Sequence, residues 1–423
     1  MNQTRRLLII AFHFPPIQGG SGVHRMLSYA RYLPEMGWDV KILTVTPGAY
    51  ESVNTSNTST IPETIEVIRA PALDTARHLA WRGRYLRTLA LPDRWQSWIL
   101  TGTVKGIQII RKWRPTAIIS TFPIASAHVI GLHLSRLFKI PWVADFRDPM
   151  AMSDYPDNPI VRKCYWWIEK QVIEHAAAIT VTTPGTCQVY KNRYGEKSSQ
   201  KISVIPNGFD ETLFPQDKIF PPQKKDKHGP LTILHSGLVY SYERDPTQLF
   251  HAIAELRDEG LIDSDKVCFI FRASGYSNEF KQKFSHLKLE GLVKFEDESI
   301  PYKDAIQELL GADVLLVLQG AVCNIQIPAK VYEYLGAGRP ILALTDPAGD
   351  TAGILKTLGG FDIVRIDEKE EIKKKLPGFI KKITSGNFHL PEREKIIELS
   401  RAARTKELNS LLENGVENYD GKN

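Results

Sequence analysis

Leu7-Leu8-Ile9-Ile10-Ala11-Phe12-His13-Phe14-Pro15-Pro16-Ile17-Gln18-Gly19-Gly20-Ser21-Gly22 sets the pattern for the whole chain. Its apolar run has no polar alternation, so a strand made from it is covered on both faces. Pro15-Pro16 stops the run, and Gly19, Gly20 and Gly22 follow. Glycine permits a tight turn and a close approach of backbone to a ligand. A helical period then runs over 22–36, and helix N-terminal N–H groups favour anions. Buried strand, glycine-rich turn and helix make a first β-α unit. Arg5 and Arg6 before the run look like the start of a secretory leader. The run stops at His13 with no small-residue cleavage site, so a strand over 6–12 is expected instead.

The same pattern repeats along the chain. Strands are expected at 6–12, 39–45, 65–69, 116–120, 141–145, 178–182 and 202–205, then at 231–235, 267–272, 292–295, 313–318, 340–344 and 361–365. Helix-length stretches such as 22–36, 123–137, 246–258, 329–337 and 367–383 fall between them. Alternation of this kind predicts an α/β protein with parallel, doubly wound sheets. A polar stretch rich in Pro and Lys, from Phe214 to Pro230, separates the two series and reads as a linker. The expected domains are 1–208, a linker at 209–229, and 230–384. A last helix over about 391–413 lies within a closing segment, 385–423.

Composition narrows the class. The chain has 423 residues, 43% hydrophobic and 24% charged, with a net charge of +6. That is an ordinary globular mixture and excludes a collagen-like, disordered or disulfide-framed chain. Cys164, Cys187, Cys268 and Cys323 share no local segment, which fits reduced thiols of a cytoplasmic protein. No apolar stretch reaches the roughly 18 residues of a spanning helix.

Ligands of open α/β sheets bind beyond the carboxyl ends of the strands, so the loops there carry the candidate chemistry. The first glycine loop is neither a dinucleotide fingerprint, because Arg25 stands where the third glycine belongs, nor a Walker loop. Asp145-Phe146-Arg147-Asp148 places three charges at a strand end. Either a carboxylate and the arginine act on substrate, or an Asp–Arg pair staples the loop while Asp148 caps the next helix. Asn207-Gly208 is a turn at the end of the first half. In the second half, Ser236 and Gly237 sit where a diphosphate can approach backbone N–H groups, with Arg244 to supply charge. Lys330 and Glu333 share one helix face, and a carboxylate there can accept both ribose hydroxyls. Asp346 to Ala352, including Thr351, offers a second phosphate position at a helix start.

These motifs, in this order, resemble those of the retaining family-four glycosyltransferases of the GT-B fold. The resemblance rests on Pro15-Pro16-x-x-Gly19-Gly20, Ile205-Pro206-Asn207-Gly208-Phe209-Asp210 and His235-Ser236-Gly237. It also rests on Lys330-x-x-Glu333-Tyr334-Leu335-Gly336-Ala337-Gly338-Arg339-Pro340 and on Ser400-Arg401-Ala402-Ala403-Arg404. It implies two Rossmann-like domains facing a cleft, with a C-terminal helix crossing back to the first. The first would be the acceptor domain and the second the nucleotide-sugar donor domain. It implies Glu333 on the ribose, Arg244 and Lys330 on the donor diphosphate, and Gly19 and Gly20 near the phosphates. Asp145, Arg147 and Asp148 are the candidate catalytic residues. Ser236, Gly237 and Thr351 complete the donor set, and His13, His24 and Asn207 are candidates for the acceptor side. Neither a metal nor a cofactor is implied; the donor is a substrate, a UDP, GDP or dTDP sugar. Two departures bear on the donor contacts. Ile325 stands where many members carry a first glutamate, and Leu238 where many carry an arginine. A subgroup with Pro-x-Lys-x-x-Glu-Tyr is similar to this chain and also lacks that glutamate.

The basic charge is concentrated. Between Arg77 and Arg114 nine Lys or Arg face Asp93 alone, and four of the eight tryptophans lie there: Trp81, Trp95, Trp98 and Trp113. Arginine mixed with tryptophan suits an anionic membrane interface; no nucleic-acid module accompanies it. Trp81, Arg82, Arg84, Arg87 and Trp95 are the expected membrane-facing residues. The expected activity is transfer of a hexose-type sugar, with retention, to a cell-surface polysaccharide (a lipopolysaccharide or exopolysaccharide) or lipid-linked glycan, in a bacterial cytoplasm at the inner face of the membrane. A non-catalytic scaffold partner of another transferase and a nucleotide-sugar epimerase of the same fold are the alternatives.

Overall fold

The structure, a computed structural model, describes residues 5–17, 19–214, 229–240 and 242–420. The chain forms two compact units, one of residues 1–207 with 401–423, the other of residues 208–400.

The first unit has seven strands: β1 (Arg5–Ile10), β2 (Trp38–Val45), β3 (Glu66–Ala70), β4 (Ala117–Thr121), β5 (Trp142–Arg147), β6 (Ala178–Val181) and β7 (Ile202–Val204). Its helices are α1 (Ser21–Glu35), α2 (Thr75–His78), α3 (Ser97–Trp113), α4 (Ala125–Phe138), α5 (Pro159–His175), α6 (Pro184–Tyr194) and α7 (Glu196–Ser199). The sheet is parallel, in the order β3-β2-β1-β4-β5-β6-β7. Winding reverses between β1 and β4. Leu8 and Ile10 enter a core with Trp98, Ile130, Trp142 and Ile168, while Leu7 and Ile9 enter another with Met26, Leu33, Leu408 and Leu412. Each buried side chain of this size contributes about 1.5–3 kcal/mol, so successive residues of one strand stabilise opposite layers.

The second unit has β8 (Leu231–Ser236), β9 (Val267–Arg272), β10 (Val293–Glu296), β11 (Val314–Gln319), β12 (Ile341–Thr345) and β13 (Asp362–Val364). Its parallel order is β10-β9-β8-β11-β12-β13, with the reversal between β8 and β11. Its helices are α8 (Thr247–Asp258), α9 (Ser277–Lys283), α10 (Tyr302–Gly311), α11 (Ala329–Ala337), α12 (Asp350–Leu358), α13 (Lys369–Thr384) and α14 (Arg393–Ile397). The thirteen expected strands are all present, each within two residues of its expected ends.

Two expectations are corrected. The helix expected over 391–413 is two helices, α14 and α15 (Arg401–Asp420), because Ser400 leaves the helical path to form a bridge with Phe209. Its apolar residues serve different cores: Ile396 packs in the second unit, Leu408 and Leu412 in the first, where α15 packs on α1. Most of the linker expected at 209–229 lies outside the described residues, but Phe209 and Phe214 belong to the second core, where they are fully or almost fully buried. No helix among the described residues is long and apolar enough to cross a membrane.

Candidate functional site

The carboxyl end of β5 carries the first cluster. Asp145 is buried and accepts four hydrogen bonds: Arg25 Nε at 3.2 Å, Arg25 Nη2 at 3.1 Å, Thr121 Oγ1 at 3.0 Å and Thr180 Oγ1 at 2.7 Å. Burial alone would raise its carboxyl, but the Arg25 guanidinium and the Thr180 bond outweigh it and hold the group below its ordinary value. All of its acceptor positions are used. Asp145 is therefore a strut and not a reacting group, which corrects the sequence expectation. The stapling arginine is also not Arg147. Arg25, from the second turn of α1, bonds Asp145 and the carbonyls of Ile205 and Pro206. It thereby fixes the backbone just before Asn207.

Arg147 sits one step past a register shift in β5, at φ 64°. Its Nη2 donates to Ser21 Oγ at 2.7 Å, and its Nη1 lies 3.4 Å from the Phe122 carbonyl. A Cβ on Gly22 would stand 2.5 Å from Nη1, so glycine there lets the guanidinium lie across the first turn of α1. Gly20 caps that helix at φ 95° without a side-chain bond, and a Cβ on Gly19 or Gly20 would meet nothing within 4 Å. Open helix N–H groups beside a guanidinium attract anions. His13 lies here too; burial first and Arg147 second lower it to about 4, so it is neutral at pH 7. Burial raises the Asp148 carboxyl, against the pull of Arg147. Asp148 does not cap the next helix, since Asn158 caps α5. The set joins a guanidinium at a helix N-terminus, a neutral imidazole and a carboxyl with raised proton affinity. His24, half-buried on α1, precedes Arg25.

In the second unit, two donors expected for a diphosphate are already engaged. The Ser236 N–H donates to Tyr334 Oη at 2.9 Å, and the Gly237 N–H to the Arg272 carbonyl at 2.8 Å. The role of Gly237 is clearance: at φ 109°, a Cβ on it would lie 3.0 Å from Lys330 Nζ. Lys330, at the start of α11, lies 3.2 Å from His235 Nε2. Burial, then Arg244, lower its ammonium to about 7, and Glu333 opposes them. This is not a solvated surface pair. Arg244 Nη1 donates to the Leu238 carbonyl at 3.1 Å, and its guanidinium lies 5.4 Å from the centre of the Tyr240 ring. Glu333 Oε1 accepts from Tyr302 Oη at 2.7 Å. Thr351 is buried and donates to the Gln326 carbonyl at 3.2 Å, so its hydroxyl braces a loop rather than standing free for phosphate.

The basic segment divides. Trp98 and Trp113 are buried, and Trp95 packs against Phe12 at 4.6 Å and donates to the Ala49 carbonyl at 3.0 Å. Trp95 is thus a core residue, which corrects its membrane-facing assignment. Trp81 is 76% exposed and Leu86 71%, and Arg82, Arg84 and Arg87 are exposed with them. Trp81 and Arg84 exchange backbone hydrogen bonds of 2.8 and 3.0 Å around Arg82 and Gly83, both at positive φ.

Sequence reasoning passed over Arg25, His235, Tyr302 and Tyr334 as site residues. Only Tyr302 lay outside the stretches already quoted, and the partners of all four are distant in the chain.

Comparisons with known proteins agree with this architecture. Sucrose-phosphate synthase from Thermosynechococcus elongatus superposes with a TM-score of 0.62 at 16% identity, over 97% of this chain and 98% of that one. HepE of Anabaena, solved with UDP and glucose, gives 0.66 at 14% identity over 97% and 100%. UDP-GlcNAc 2-epimerase from Methanocaldococcus jannaschii gives 0.55 at 14% identity over 97% and 99%. No curated protein matches the sequence. Residues 19–208 match the family described as glycosyl transferase 4-like domain. Over residues 19–208 the chain is thus similar to a glycosyl transferase 4-like domain, and its two units have the GT-B fold.

Proposed function

We propose that the protein is a glycosyltransferase that moves a hexose-type sugar from a nucleotide-sugar donor to a glycan or lipid-linked acceptor, with retention. The observation that carries this reading is the half-buried Lys330, whose ammonium lies against His235 and shares its surroundings with Arg244 and Glu333 beyond the switch between β8 and β11. Lys330 and Arg244 supply two positive charges for a leaving diphosphate, so the reaction needs no metal. Glu333, held by Tyr302, accepts the ribose hydroxyls. In the first unit, Arg147 and the α1 N-terminus hold an anionic part of donor or acceptor, and Asp148 exchanges the acceptor proton. HepE, solved with UDP and glucose, is in keeping with a UDP sugar.

Glu333→Ala lowers affinity for whichever of UDP, GDP and dTDP the wild type binds by about 10–100-fold, the loss expected for hydrogen bonds to a charged group. Calorimetry reads this directly, and unchanged affinity would remove Glu333 from the site. The epimerase reading is separated by product analysis. A transferase releases nucleotide only when acceptor is present, whereas an epimerase changes the sugar without one.

Trp81, Leu86 and the three arginines form the face that meets the anionic inner surface of the cell membrane. Each arginine contributes about 1 kcal/mol at such a surface, so replacing Arg82, Arg84 and Arg87 together by glutamine weakens binding to phosphatidylserine vesicles about a hundredfold. Sedimentation at low salt tests this. A wild-type protein left in the supernatant would exclude the membrane contact.

A further inference from the structure

His235 is fully buried at the end of β8, and its ring reaches across to the neighbouring strand, β11. Its Nδ1 lies 2.8 Å from the Leu316 carbonyl, which can only accept, so Nδ1 carries the ring proton. Burial keeps the ring neutral; Lys330 and then Arg244 push the same way, while the Leu316 and Leu238 carbonyls push back. Nε2 is then a lone pair, and Lys330 Nζ stands 3.2 Å from it. The other charged groups acting on this ammonium are Arg244 and Glu333.

A lysine side chain loses rotamer freedom when it is fixed. A fixed acceptor that makes this expenditure before ligand arrives pre-organises the cation. We propose that His235 is a positioning residue: its neutral imidazole accepts a hydrogen bond from Lys330 and fixes the ammonium beneath Gly237, with its remaining N–H bonds directed at the donor's diphosphate. The proposal rests on the reading of this pocket as a nucleotide-diphosphate site. His235 touches Lys330 and not the substrate. The motif that contains it marks the loop without indicating which of its atoms matter.

The test uses the full chain and two probes, UDP and uridine, by calorimetry. His235→Phe keeps a ring of similar size beside Phe271, whose centroid is 6.0 Å away, but removes the acceptor. It is expected to weaken UDP at least tenfold while leaving uridine within about twofold. His235→Gln, which restores an acceptor oxygen, is expected to recover most of that loss. Equal weakening of UDP and uridine would mean a merely structural role, and unchanged UDP affinity would likewise overturn the proposal. A second measurement needs no variant: nitrogen-15 spectra of histidine-labelled wild type should show this ring protonated at Nδ1 and bare at Nε2, and the opposite tautomer would refute it. If wild type binds none of UDP, GDP and dTDP, the donor-site reading falls and the proposal with it. If wild type binds and His235→Phe is silent, only the proposal falls.

Discussion

Asp145→Ala lowers the unfolding free energy by about 3–5 kcal/mol, the cost of leaving a buried charge without its partner. Arg25 is the charge left behind: its side chain is 5% exposed, and the carboxylate supplies two of its hydrogen bonds. Denaturant titration measures the loss. Replacing both partners, Arg25→Met with Asp145→Leu, should recover much of it, because an apolar pair strands no charge. The pH dependence has a definite sign. The folded-state carboxyl is held below its ordinary value, so the contribution is complete above the unfolded carboxylate range near ~4. It is lost as pH falls through the lower, folded value. If Asp145 reacted with substrate instead, the variant would lose turnover at unchanged stability.

Lys330→Met is the second large effect. Removing a donor aimed at developing charge costs about 10²–10³ in turnover, while affinity for uridine should change little. The free ammonium titrates at about 7, and a bound diphosphate raises that value. Above pH 7 the nucleotide therefore binds with uptake of a proton, and affinity falls as pH rises, by at most about tenfold per unit. Calorimetry in two buffers of different ionisation enthalpy reads the uptake. Binding at pH 8 with no proton uptake would mean that Lys330 does not face the diphosphate.

The layout of strands was legible because a parallel strand covered on both sides must be apolar throughout, and such runs stand out between glycine turns. The donors of the second unit were not legible. Ser236 and Gly237 look available in the sequence, yet Tyr334 and the Arg272 carbonyl, far away in the chain, use their N–H groups. Arg25 was missed for the same reason: Asp145, Ile205 and Pro206 are remote in sequence and meet it only once the sheet has formed. Trp81 and Trp95 have equally basic neighbourhoods, and only packing against Phe12 separates a core ring from an exposed one. Lys330 and Glu333 could be read as neighbours because three-residue spacing on a helix fixes a shared face without any long-range information.

The first unit is discontinuous, since residues 208–400 separate its main part from α15. Leu408 and Leu412 fill the same layer as Met26 and Leu33, and Trp38 Nε1 donates to Asn409 Oδ1 at 2.8 Å. During synthesis the ribosome therefore delivers an uninterrupted second unit, 208–400, before it delivers the helix that completes the first. The earlier-made sheet waits with one apolar layer incomplete until that helix emerges.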